Sequence, residues 1–152
     1  MVRRLKIYFI HSNKMDYQNL LYRDIISSSV CLMHELMLPY SKNYEGKYVK
    51  DLLAEADIII AEVSEPGFLL KSELKWALKT GKPIKYIALN NILSPKLKKL
   101  VPNIDQIILP EKPMIKIVED FINQYANMTR EEQADTTIVL GDMDETQEQP
   151  KE

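Results

Sequence analysis

The chain has 152 residues, 45% of them apolar and 28% charged, the composition of an ordinary soluble protein of one domain. A single cysteine, Cys31, excludes an internal disulfide, and two distant histidines without a cysteine cluster give no metal signature. The net charge of −2 divides into −6 on residues 129–152 and +4 on residues 1–128, a body suited to an anionic small molecule and too weakly basic to indicate nucleic acid.

Leu5-Lys6-Ile7-Tyr8-Phe9-Ile10 is short, β-branched and aromatic, and stops at the polar group His11-Ser12-Asn13, as a buried strand running into a loop does. That stop also makes a secretory signal after Arg3 and Arg4 too short, and no aliphatic run approaches the roughly 20 residues of a membrane span. A cytoplasmic protein is expected. Asp16 can cap a helix to about residue 28, with Tyr17, Leu20, Leu21 and Ile25 on one stripe. The apolar stretch 30–38 suggests a second strand, ended by Pro39. A short helix over 47–55 leads into Asp57-Ile58-Ile59-Ile60-Ala61, whose continuous apolar run marks a central parallel strand covered on both faces.

Pro66-Gly67 marks a turn, Leu70, Leu74, Ala77 and Leu78 form one helical face, and Gly81 stops that helix. Strands over 84–89 and 104–109 follow, then an amphipathic helix with Met114, Val118, Phe121, Ile122 and Tyr125. Strand and helix alternate, which predicts a doubly wound, flavodoxin-like domain over 1–127: a five-stranded parallel sheet in the order 2-1-3-4-5 with helices on both faces. Residues 128–152 are read as an acidic, disordered tail. In such folds ligands bind beyond the carboxyl ends of the strands where the chain order reverses, which points to the loops 11–16 and 62–72.

After the first strand a dinucleotide site wants a glycine-rich turn and a flavin-phosphate loop wants small hydroxyl and glycine residues, whereas this chain has His11-Ser12-Asn13-Lys14-Met15; its third strand closes with Ala61-Glu62 rather than the aspartate of a phosphoacceptor domain. No cofactor is expected. The segment from Ala56 to Pro83, with Ala-Asp entering an aliphatic strand, then Ala61-Glu62-Val63-Ser64, then Glu73 opening a helix that ends before Gly81-Lys82-Pro83, resembles the nucleoside 2-deoxyribosyltransferase family, including its 2'-deoxynucleoside 5'-phosphate N-hydrolase branch. Tyr8-Phe9-Ile10-His11-Ser12 is similar to that family's first strand, and the likeness covers roughly residues 5–90.

The resemblance implies that Glu73 is a nucleophile attacking the anomeric carbon of a nucleoside or nucleotide, releasing the base, with Tyr8 orienting the carboxylate and Asp51 relaying a proton. A carboxylate suits a cation-like transition state, which it stabilises and onto which it can collapse. His11, Ser12, Ser64, Lys71 and Ser72 are the implied substrate-binding residues, and a homodimer or larger homo-oligomer is implied because such sites are completed by a neighbouring subunit. Tyr40, Tyr44 and Tyr48 recur at four-residue spacing, as if to close over a base or form a subunit contact; Trp76 reads as packing or interface. The loop before the family's glutamate is rich in glycine, whereas Leu69, Lys71 and Ser72 stand here. That departure motivates a rival reading, a catalytically silent nucleotide-binding or regulatory module. Cleavage of the nicotinamide bond of NAD, which related α/β folds also perform with a glutamate, is third.

Overall fold

The computed structural model describes residues 3–64, 68–89, 99 and 113–134. Four parallel strands, β1 (Lys6–Ile10), β2 (Glu35–Met37), β3 (Ile58–Glu62) and β4 (Ile84–Ile87), form one sheet in the order β2-β1-β3-β4. The order reverses between β1 and β3, which pair from Ile7 opposite Ile58 to Ile10 opposite Ala61. β3 and β4 are parallel, with Ile59 opposite Ile84. This is the α/β arrangement of a flavodoxin-like fold. The expected fifth strand, 104–109, and the Pro66-Gly67 turn lie outside the described residues.

Alternation along the strands feeds two cores. Tyr8 and Ile10 of β1 and Ile59 and Ala61 of β3 face α3 (Val49–Glu55) and α4 (Phe68–Lys79), meeting Leu52, Leu53, Leu70, Leu74 and Ala77. Ile7, Phe9, Ile58 and Ile60 face the other way, against Leu21 and Ile25 and against Val118, Phe121 and Ile122 of a C-terminal helix, Met114–Ala126. Burial on both faces leaves the Ile58–Ala61 run of β3 without alternation, and the strand's one charged residue, Glu62 at its end, is buried with hydrogen-bond partners. Among the described residues no helix is long and apolar enough to cross a membrane.

Two local expectations are corrected. The stretch 30–38 is not one strand: α2 (Ser29–Leu32) opens with the Leu32 amide donating to the Ser28 carbonyl, and only Glu35–Met37 pair with β1. A short apolar run fits a buried helical turn as well as a strand, and pattern alone does not separate them. After Met15, a wide π-type turn, Gln18–Tyr22, precedes α1 (Arg23–Ser27). It rotates the stripe, so Leu21, Tyr22 and Ile25 are buried while Leu20 is 51% exposed. Asp16 does not cap with its side chain, which instead accepts from the side-chain Nδ2 of Asn19 at 2.9 Å.

Residues 130–134, placed by sequence in the tail, form a further helical turn whose start is capped by Thr129 Oγ1 accepting the Glu132 amide at 3.1 Å. Its Gln133 is buried, accepts from the Arg3 guanidinium and donates to the Asp57 carbonyl at 2.7 Å. The Arg3 backbone also donates to the Ala126 carbonyl at 2.9 Å. This latch joins the N-terminal segment, the C-terminal helix and the start of β3. Gln133→Ala removes two hydrogen bonds, one to a charged donor, and is expected to cost about 1–2 kcal/mol in urea unfolding.

Candidate active site

A cavity of about 730 Å³ is lined by β1, the segment after β2, α3 and α4, β1 being one of the two strands between which the order reverses. β1 contributes Tyr8 and, just past its end, His11. The segment after β2 contributes Tyr40, Tyr44 and Tyr48, and α3 contributes Val49, Lys50 and Asp51. From α4 come Leu69, Glu73 and Trp76, spaced four and three apart and therefore on one helical face. The neighbouring stripe, Leu70, Leu74 and Ala77, packs on the sheet and fixes α4 in rotation.

Glu73 is 9% exposed, and its Oε1 accepts the Tyr8 hydroxyl at 3.1 Å. Burial raises the Glu73 carboxyl to about 7, against the opposing effect of the Tyr8 hydrogen bond, which favours the ionised form. Tyr8 is itself pushed far above its ordinary value, by burial first and by the adjacent Glu73 second, so it remains a proton-bearing donor. A carboxyl held at the edge of ionisation in an apolar, aromatic cavity is how folds prepare a reactive acid. Trp76 carries the Lys50 ammonium 4.9 Å from its ring centroid, placing a cation at the cavity rim.

His11 is buried, and burial lowers its pKa, so the imidazole is neutral at pH 7. Nδ1 lies 3.0 Å from the Ser12 carbonyl, which can only accept; Nδ1 therefore bears the proton and Nε2, 2.7 Å from the Tyr22 hydroxyl, is the acceptor. Its ring lies 4.9, 5.1 and 5.3 Å, centroid to centroid, from Tyr17, Tyr22 and Tyr40.

The fold thus brings Glu73, Tyr8, His11 and Asp51 to one cavity, Asp51 on its exposed side. Ser12, Ser64, Lys71 and Ser72 are not among its lining residues. Ser12 Oγ accepts the Lys14 amide at 3.1 Å. Ser64 is buried and donates to Glu62, which is 1% exposed and also accepts the Ser64 and Leu89 amides at 3.0 and 2.6 Å, a clamp across the ends of β3 and β4. Lys71 and Ser72 sit on other faces of α4, roughly 160° and 100° from Glu73 at 100° per residue. Among the described residues no group of three or more histidine, cysteine or acidic side chains could hold a metal ion.

The aromatic wall was partly legible as Tyr40, Tyr44 and Tyr48. Tyr22 was not, because in an α-helix it would lie about 140° from Tyr17; the wide turn brings their rings to 5.0 Å. Compared with known protein families and with curated proteins, the chain matches none.

Proposed function

We propose that this protein cleaves the N-glycosidic bond of a nucleoside or nucleotide, by hydrolysis or by deoxyribosyl transfer, with Glu73 as nucleophile. The observation that carries the proposal is the buried Glu73 carboxylate, hydrogen-bonded to Tyr8 on the floor of a cavity walled by aromatic rings. Flat rings offer stacking surface to a base, while Glu73 meets the cationic character that develops at the anomeric carbon as the base departs. The attack leaves a glycosyl ester on Glu73 and the electron pair on the base; water or a second base then takes the sugar. Asp51, on the exposed side, supplies a proton relay. A fifth strand at 104–109 beside β4, and a homo-oligomer placing partner residues at the open side, belong to the same proposal.

The test is base release from 2'-deoxynucleosides and their 5'-monophosphates, followed by chromatography. Release by the wild type and none by Glu73→Ala supports the proposal; tight binding with no release identifies the silent module instead. Because Glu73 must be ionised to attack, the rate should rise with pH through about 7 and level off above it. Tyr8→Phe removes the bond that favours the ionised form, so the midpoint of that profile should move upward, with a rate at pH 7 about tenfold lower.

A further inference from the structure

The segment 38–48 that walls the cavity is largely bonded to itself. The Ser41 amide donates to the Leu38 carbonyl, those of Tyr44 and Glu45 to the Ser41 carbonyl, and that of Lys47 to the Tyr44 carbonyl, at 2.9–3.2 Å. Gly46, at φ +81°, completes the turn with a conformation that side-chain-bearing residues rarely adopt. Side chains tie the unit to the strands and to the wide turn, the Tyr44 hydroxyl donating to Glu35 at 2.9 Å and the Tyr22 hydroxyl accepting the Tyr40 amide at 3.3 Å, and at its far end the Tyr48 carbonyl accepts the Leu52 amide of α3 at 3.1 Å.

We infer that Tyr22, which does not line the cavity, is a positioning residue that holds the Tyr40 wall over the substrate through a relay set by His11. The direction of the relay follows from the protons. With Nδ1 of His11 committed to the Ser12 carbonyl, Nε2 takes the Tyr22 hydroxyl proton, and the lone pairs of that oxygen are left facing the Tyr40 amide. The rings then lock the arrangement: Tyr17 lies 5.0 Å from both Tyr22 and Tyr40, and His11 touches all three. Tyr40 is 38% exposed and shares no buried core cluster with the sheet, so its placement depends on this set. The consequence for ligand recognition rests on the proposed function; the mechanical role of Tyr22 does not.

Tyr22→Phe keeps every ring contact and removes only the hydroxyl. Hydrogen exchange of peptides spanning 38–48 should accelerate about five- to tenfold, with β1 and β3 unchanged. For 2'-deoxynucleoside 5'-monophosphates the KM should rise by a similar factor with kcat unchanged, because a displaced wall weakens ground and transition states alike. Unchanged exchange over 38–48, or equal acceleration everywhere, overturns the role. If exchange accelerates locally but no nucleotide binds or turns over, the positioning role stands and the nucleotide reading fails. Should Tyr22→Phe not fold, His11→Phe, which keeps a ring in place and removes the acceptor of the Tyr22 hydroxyl, tests the same relay from its other end: local acceleration over 38–48 supports it and unchanged exchange there overturns it.

Discussion

At pH 8, Glu73→Gln is expected to abolish base release and yet to fold more stably than the wild type. Both effects follow from one carboxyl. Burial lifts Glu73 from its ordinary 4.5 to about 7, which means the fold favours the protonated form. The resulting cost to stability is absent below the unfolded value, grows as the pH rises from about 4.5 to 7, and is fully present above that. Glutamine keeps the shape and the acceptor for Tyr8 but carries no charge, so the variant should gain on the order of 2 kcal/mol at pH 8 and nothing near pH 4.5. His11 and His34, both lowered by burial, contribute stability that is full above 6.5 and lost as the pH falls below it. They are common to both proteins and cancel in the difference. Loss of the nucleophile should cut turnover by about 10³-fold or more. Urea unfolding of the pair at the two pH values measures the first effect, and an equal or lower stability of the variant at pH 8 contradicts it.

Glu62→Gln should destabilise the fold by about 2–3 kcal/mol, although Glu62 touches no substrate-facing surface of the cavity. Its two oxygens accept the Ser64 amide and hydroxyl and the Leu89 amide, all donors, where the ends of β3 and β4 meet. Glutamine offers one oxygen and an amide group that can only donate. One buried N–H must then face another, and an unmade buried hydrogen bond costs more than a made one contributes. Glu62→Ala should cost at least as much, and a urea midpoint unchanged for both variants would show that the clamp carries no weight. The same change loosens the start of the connection from β3 to α4, the helix that bears Glu73.

The central strand was readable because Ile58-Ile59-Ile60-Ala61 is a mostly β-branched run too short for a helix of its own and follows directly on a helical stretch, and the expected reversal of order pointed to the loops 11–16 and 62–72, of which His11 and Leu69 line the cavity while most of its wall comes from 39–52. Glu73 was singled out only by the resemblance of the 56–83 segment, while the sheet-facing stripe Leu70, Leu74 and Ala77 beside it was readable from its periodicity. Side chains whose roles depend on long-range partners were not. Ser64 reads as a loop hydroxyl available to a ligand, yet it serves a carboxylate two residues earlier. Gln133 sits in an acidic stretch without apolar periodicity, although Thr129 followed by Glu132 is a capping pattern that marks its helical turn. The π-type turn at Gln18–Tyr22 has no pattern of its own, and it alone gathers Tyr17 and Tyr22 around His11.

The most direct measurement is mass spectrometry of the protein quenched during turnover of a 2'-deoxynucleoside 5'-monophosphate, followed by digestion and sequencing of the peptide that spans α4. A covalent glycosyl group on Glu73, absent from Glu73→Gln and lost on chase with water or free base, is the result expected of a carboxylate nucleophile. Base release that persists in Glu73→Gln, with no adduct on that peptide, contradicts it.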